Sequence, residues 1–424
     1  VVSLLNYIIS ISNKCKPVIK KVVPIKLLRA VKFKLISKTV NQLIKKGKKP
    51  FEPEKNKNGV NLIGLVKAEM GLGQSCRLLA NEIEHCHIDY SLYDFSLPHS
   101  MLRNEEHSYD SKISETFEHN INIIHLNPDE MLYMYNRLDT SVWNYRYNIA
   151  FWLWELEEPP EHWKTYFPLL DEIWTPSEFI SNNLRKVTDL PVRTIPYCVT
   201  APTEEGIGRE FFQLPDDKFL FLIMYDSNST MIRKNPIGAI NAYKQAFPPE
   251  NETVGLVIKV NNAREEDLNI LKNNLKDYHN VYYINDILSK VHVNCLIQCV
   301  DVYVSLHRAE GFGLVLAEAM LLKTATIATN WSSNTEFMND KVACMVDSTF
   351  VTLKEDALPY KKGAKWAEPD INQASEYMKK LYKDQGFYDK ICISGKKYIS
   401  KKLSMENAVN LISSRINKIY KKKG

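Results

Sequence analysis

The sequence predicts two doubly wound α/β domains of the Rossmann-like type, facing a central cleft and preceded by a basic helical extension. Three observations carry that expectation. From Val60 onward, short apolar runs alternate with segments of helical period, the pattern of a parallel sheet wrapped by helices. The alternation starts afresh at Phe219, after a stretch that reads as a crossover. The length of 424 residues exceeds one ordinary core and fits two domains with appendages.

In the first domain, Val60–Val66 reads as a buried strand, and Gly71-Leu72-Gly73 leads into a helix over Ser75–His85. Further strands are expected at Ile121–Leu126, Asn148–Leu153 and Glu172–Thr175, with helices at Glu161–Leu170 and Ser177–Val187. Thr194–Val199 and Gly206–Phe212 read as the crossover. In the second domain Phe219–Tyr225, Thr253–Lys259, Val281–Ile284, Val300–Leu306 and Thr326–Thr329 are strand-like. Pro236–Ala246, Glu265–Leu275 and Leu314–Lys323 are the helices between them, and Ile371–Tyr382 and Phe387–Lys423 form a helical, basic end. The expected division is an extension over 1–55, a first domain over 56–205, a second over 206–385 and a helical tail over 386–424. Ligands of such domains bind at the carboxyl ends of the strands, here in the cleft.

Charge is unevenly spread. Residues 1–55 carry 14 Lys and Arg against Glu52 and Glu54, a net +12, which leaves −7 for the rest of a chain whose total is +5. Within residues 1–50, apolar and lysine positions interleave as in a basic amphipathic helix, broken at Pro17 and Pro24. Such a face suits an anionic membrane surface; packing on the body, or on an upstream domain, is the alternative. Val1–Ser12 is apolar but lacks a preceding basic region, so it does not read as a signal peptide. With no apolar run of membrane-spanning length, the expected location is the cytoplasm, at the inner face of the plasma membrane. The eight cysteines contain no C-x-x-C pair, and Cys295 with Cys299 has no second pair nearby to complete a zinc site. Buried reduced thiols are expected, and neither a metal nor a nucleic-acid partner.

The most informative stretch runs from Ser305 to Met320, SLHRAEGFGLVLAEAM. A strand ends in the loop Glu310-Gly311-Phe312-Gly313 and a helix follows at once. The unpaired N–H groups of that helix start, with glycines beside them, suit close approach by ligand oxygens. Glu310 and Glu318 flank the turn, and carboxylates accept hydrogen bonds from paired sugar hydroxyls. Arg233 and Lys234 follow the first strand of the second domain, within reach of the cleft. Gly71-Leu72-Gly73 lacks the third glycine of a dinucleotide fingerprint, which counts against NAD.

This E-x7-E stretch resembles glycosyltransferase family 4 over most of residues 60–385. The likeness is nearest to the bacterial surface-polysaccharide branch, through Trp154-Glu-Leu-Glu157, Arg233-Lys-Asn-Pro236, Ser305–Gly313 and Trp366-Ala-Glu-Pro-Asp370. The resemblance implies a GT-B fold, a nucleoside-diphosphate sugar donor, no metal, and retention at the anomeric carbon. It implies that Glu310 and the backbone of Gly311, Phe312, Gly313 and Leu314 hold the donor hexose. Glu318 would hold the ribose hydroxyls, and the Gly71–Gly73 loop would face the diphosphate. Without a metal, Arg233 and Lys234 must stabilise the leaving diphosphate; the chain has no D-x-D segment. Family members often carry a further Arg before the Lys, where this chain has Asp226-Ser227-Asn228. Many also place a His at the end of the strand that here reads Phe151–Glu158. In its place stand Trp152, Trp154 and Glu155, tryptophans that either stack on a sugar or belong to the core. His125 and Asp129 end the preceding strand and are expected on the acceptor side.

The function so implied is a metal-independent hexosyltransferase. It moves a hexose from a nucleotide sugar to a hydroxyl of a glycan or lipid-linked acceptor in surface polysaccharide synthesis. The rival readings are a non-catalytic partner or glycan-binding subunit of the same fold, and a sugar-nucleotide epimerase.

Overall fold

The computed structural model describes residues 25–95, 109–357 and 359–421. A 22-residue helix, α1 (Ile25–Lys46), leads into a six-stranded parallel sheet. Its strands are β1 (Lys57–Gly64), β2 (Tyr90–Asp94), β3 (His119–His125), β4 (Tyr147–Phe151), β5 (Glu172–Thr175) and β6 (Val192–Thr194). They lie in the order β2-β1-β3-β4-β5-β6, so the chain starts mid-sheet and winds outward both ways. Helices α2 (Gly71–His85), α3 (Pro128–Arg137) and α4 (Glu178–Arg185) connect them. The helix expected over Glu161–Leu170 is a 3-10 helix over Glu161–Leu169, with Pro168 inside it.

A buried asparagine ladder fixes the register of this sheet. Asn61 donates to Asn122 (2.8 Å), Asn122 to Asn148 (2.8 Å), and Asn148 to the Trp143 carbonyl (2.9 Å). The three asparagines sit opposite one another on β1, β3 and β4. A slip by one residue would strand each amide in an apolar interior.

The second sheet repeats the design. Strands β7 (Phe219–Asp226), β8 (Val254–Asn261), β9 (Val281–Ile284), β10 (Val302–Ser305), β11 (Ala325–Thr329) and β12 (Cys344–Val346) are ordered β12-β11-β10-β7-β8-β9, all parallel. Between them run α5 (Met231–Lys234), α6 (Pro236–Ala246), α7 (Glu265–Asn274), α8 (Lys290–Cys299) and α9 (Leu314–Leu321). An antiparallel hairpin, β13 (Ser348–Thr352) and β14 (Lys365–Pro369), follows the last strand. The chain ends in α10 (Ile371–Lys383), α11 (Gln385–Lys402) and α12 (Met405–Lys421).

The end of the chain is not a free tail. Helix α11 packs on α9, and α12 returns to the first domain. There the Arg415 Nε donates to both carboxylate oxygens of the fully buried Glu172 (2.8 and 2.9 Å), while Tyr420 accepts from the Gly59 N–H and donates to Asn120. Helix α1 also lies on the first domain. Its Ile36, Val40 and Leu43, spaced as one helical stripe, are buried against α3 and the 3-10 helix. Lys34, Lys38, Lys45 and Lys46 are left exposed. Packing on the body is therefore what this apolar stripe does from residue 36 onward; the expected breaks at Pro17 and Pro24 lie outside the described residues.

Candidate active site

The carboxyl ends of the two sheets face each other, and the charged residues that follow β4, β7 and β10 meet there. Arg233 and Lys234 stand on α5, the single turn after β7. Asn235 closes that turn in the left-handed region (φ 52°), caps α6 through the Gly238 N–H, and donates to the Leu306 carbonyl (2.9 Å). This amide ties α5 to the loop leaving β10. Two further links reinforce it: the Arg308 N–H donates to the Arg233 carbonyl (2.8 Å) and the Arg233 side-chain Nη1 to the Ala309 carbonyl (2.9 Å).

Glu310 lies between those cations. Its Oε2 is 2.5 Å from Lys234 Nζ and 3.9 Å from Arg233 Nη1, and its N–H donates to Ser332 Oγ (3.1 Å). Burial alone would raise the carboxyl pKa, but Lys234 and then Arg233 outweigh it and hold Glu310 down at about 2. Behind it, His307 is fully buried, and burial lowers its pKa to about 4, so the ring is neutral at pH 7. Gly313, at φ 97°, turns the chain into α9, and Phe312 points away into the core against Tyr197 and Phe337. The loop therefore offers backbone, with the half-buried Leu314, rather than the Phe312 ring.

From the opposite domain comes Glu155. Its Oε1 is 3.9 Å from Arg233 Nη2, and a Cβ on Gly311 would lie 3.6 Å from its Cγ. Tyr360, from the loop of the β13–β14 hairpin, is buried between Trp154 and Trp366 and interacts electrostatically with both Glu155 and Arg233. The hairpin is anchored by a two-pronged pair, Arg308 Nε and Nη2 to Glu368 at 2.6 and 2.7 Å. Glu318, 1% exposed, is not in this cluster; its Oε2 lies 2.6 Å from Lys290 Nζ.

Gly71 and Leu72 open α2 with Gly71 exposed and nothing within 4 Å of where its Cβ would be. Gly73 is a steric necessity, since a Cβ there would fall 2.0 Å from the Ala68 carbonyl. Arg77 props this turn by donating to the Val66 and Ala68 carbonyls (2.9 and 3.1 Å).

Three acceptor-side expectations do not join the cluster. His125 is fully buried, shares a 3.0 Å hydrogen bond with Tyr197 and stacks on Phe151. Trp152 is likewise fully buried, donating to Met131 Sδ and packing on Trp163, so it is core and not a sugar platform. Asp129 is exposed on the first turn of α3 and paired with His162 at 2.8 Å. Ser332, Tyr360 and the Arg308–Glu368 pair are the participants that sequence reasoning missed, as it missed Lys290 beside Glu318. Arg308 and Glu368 both lie within segments singled out above, but nothing in the sequence pairs them.

Residues 209–398, which span the second sheet and its hairpin, match the family described as glycosyl transferases group 1. No curated protein matches the chain in sequence. Among solved structures it is similar to a glycosyltransferase from Rickettsia africae, with 13% identity, a TM-score of 0.63, and 87% of this chain and 100% of that one covered. Anabaena HepE, solved with UDP and glucose, gives 10% identity, a TM-score of 0.63, and coverage of 85% and 100%. Sucrose-phosphate synthase from Thermosynechococcus elongatus gives 12%, 0.61, and 86% and 99%. Fold and site together define a protein of GT-B fold. Its second domain is the part that matches the group 1 glycosyltransferase family.

Proposed function

We propose that this chain transfers a sugar, with retention and without a metal, from a nucleoside-diphosphate sugar to a hydroxyl of a glycan or lipid-linked acceptor. The observation that carries the reading is the Arg233–Lys234–Glu310 cluster at the carboxyl edge of the second sheet, faced by Glu155 from the first. Two cations beside the N-terminus of α9 suit a diphosphate whose charge grows as the sugar leaves. Glu310, held ionised, suits the positive charge that develops on the sugar ring. Glu155, on the acceptor side, suits orientation of the attacking hydroxyl. In this reading no side chain acts as a covalent nucleophile. The acceptor attacks on the face the diphosphate leaves, a leaving-group oxygen takes its proton, and the protein supplies position and field.

The group 1 match of the second domain and the solved structures of the same fold support the nucleotide-sugar reading. Surface polysaccharide synthesis at the inner face of the plasma membrane is the setting we infer, from the resemblance and from the exposed lysines of α1. Among the described residues, no helix is long and apolar enough to cross a membrane.

The test is a nucleotide-sugar panel read by thermal shift, followed by donor turnover with and without glycan acceptors. A ligand at 100 times its Kd adds about 2.7 kcal/mol to stability, enough to resolve. Failure of every nucleotide sugar and nucleoside diphosphate to stabilise the protein would overturn the reading. Binding without hydrolysis or transfer would favour a non-catalytic subunit, and acceptor-free conversion of the sugar an epimerase.

A further inference from the structure

Glu318 is a buried carboxyl with one cation beside it. Its side chain sits on α9, just inside the carboxyl edge of the second sheet, and is 1% exposed. Lys290 reaches it from the first residue of α8, on the loop leaving β9, with its Nζ 2.6 Å from Oε2 and 26% of its side chain exposed. The lysine is thus the solvent-reached partner of a carboxylate that is itself enclosed. Among the described residues no aligned hydrogen bond reaches Glu318 Oε2, so Lys290 offsets its charge without saturating its lone pairs.

That arrangement has a chemical consequence. An ionised carboxylate accepts from two neighbouring hydroxyls at once, whereas a neutral one gives up part of that capacity to its own proton. Burial raises the Glu318 pKa and Lys290 pulls it back, leaving it above the ordinary carboxyl value. Besides Lys290, the titratable group whose charge couples to Glu318 is Tyr303 on β10. No other described cation holds Glu318 ionised.

We propose that Lys290 is a positioning residue for nucleotide recognition: it keeps the Glu318 carboxylate ionised and aimed at the paired ribose hydroxyls of the donor, and so makes binding dependent on the sugar of the nucleotide. This rests on the nucleotide-sugar reading above and adds a residue that the reading does not contain. Loss of Lys290 moves the Glu318 titration upward, so ribose recognition then fails at a higher pH. A lysine that only packed the α8–α9 contact would leave both the ribose preference and the pH profile alone.

The experiment measures Kd for UDP, GDP and ADP and their 2′-deoxy counterparts from pH 5.5 to 8.5, on the full chain and on Lys290→Met, Lys290→Gln and Lys290→Arg. Wild type should prefer at least one ribonucleotide over its deoxy form by about tenfold, the scale of a hydrogen bond to a charged group. Lys290→Met, or Lys290→Gln should the first fail to fold, should bring that ratio towards one and move the loss of affinity to higher pH. Lys290→Arg should keep both. An unchanged ratio and pH profile in the uncharged variants, with wild type binding normally, overturns the role of Lys290 and leaves the nucleotide-sugar reading standing. No binding of any nucleoside diphosphate by wild type overturns that reading, and this inference with it.

Discussion

Glu155 and Arg233 come from opposite domains, and their charged groups lie 3.9 Å apart. The same guanidinium is 3.9 Å from Glu310, so one cation spans two carboxylates across the cleft. At about 4 Å and an effective dielectric near 20, each attraction is on the order of 4 kcal/mol before the cost of desolvation. The buried guanidinium therefore links Glu155 of the first domain to the donor side of the second. Glu155→Gln keeps shape and removes the charge. It should lower kcat about tenfold or more while leaving nucleoside-diphosphate affinity near wild type, because the diphosphate cations remain. Steady-state kinetics beside calorimetry would read the split, and an unaltered kcat would remove Glu155 from the acceptor side.

Activity is expected to withstand exhaustive EDTA treatment. Lys234 and Arg233 stand where a leaving diphosphate needs positive charge, and both are fixed to the β10 loop by Asn235 and the Ala309 carbonyl. Loss of turnover that Mg²⁺ or Mn²⁺ restores would overturn the metal-free mechanism.

Most strands of the two sheets were legible as apolar runs between turn residues, and Phe219–Asp226 or Val254–Asn261 reads as such unaided, whereas the short edge strands β2, β6 and β12, three to five residues long, carry too little pattern to be read. The Glu310 loop was legible because its chemistry is contiguous in sequence. What could not be read was which face of a strand end looks outward. His125 closes β3 as a cleft residue would, yet Tyr197, 72 positions away, takes its ring into the core. Trp152 and Trp154, two apart, both turn to Trp163, which leaves Glu155 for the cleft. Tyr360 reaches the site from the loop of a distant hairpin and Lys290 meets Glu318 from the start of α8, and no local pattern marks either.

The lysines of α1 carry a prediction about surfaces. The helix contains no acid between Ile25 and Lys46, and its buried stripe leaves Lys34, Lys38, Lys45 and Lys46 turned to solvent. Each such charge is worth on the order of 1 kcal/mol near anionic lipid, fading with salt. Sedimentation with phosphatidylglycerol vesicles should be strong at low salt and weak at 0.5 M, roughly the range over which screening becomes complete. Replacing those four lysines by glutamine should weaken it; equal binding by that variant would show that α1 is not the contact.

Arg415 should matter to stability out of proportion to its place near the chain end. It joins α12 to Glu172 and Tyr147 inside the first domain, and Trp174 completes the carboxylate's hydrogen bonds. Breaking a buried pair by removing one partner costs about 3–5 kcal/mol. Arg415→Met should lose that much in urea unfolding, and the double change with Glu172→Gln should recover part of it. A loss below about 1 kcal/mol would mean that α12 is held by its apolar face alone.

Glu310 is where the proposed mechanism is most exposed. Its carboxylate is pinned by Lys234 and held near pKa 2, so it is ionised throughout the working range and cannot serve as a proton donor. What it can do is stabilise positive charge as the glycosidic bond breaks, more strongly than it stabilises the ground state. Glu310→Gln keeps its size and one acceptor oxygen but loses that charge, and kcat should fall by roughly 10²-fold or more. The structure adds a second expectation. Without the carboxylate, Lys234 and Arg233 lose a competing anion, so the affinity for a nucleoside diphosphate should stay level or tighten. The linkage runs the same way in the acid range. A carboxyl whose folded pKa is depressed stabilises the fold above its unfolded value, near 4.3, and loses that contribution as pH falls towards 2. The mutant should therefore show a shallower acid loss of stability than wild type between about pH 4 and pH 2. Weaker nucleotide binding with kcat intact would make Glu310 a binding residue only, and wild-type kinetics in the mutant would mean that the reacting carbon lies elsewhere in the cleft.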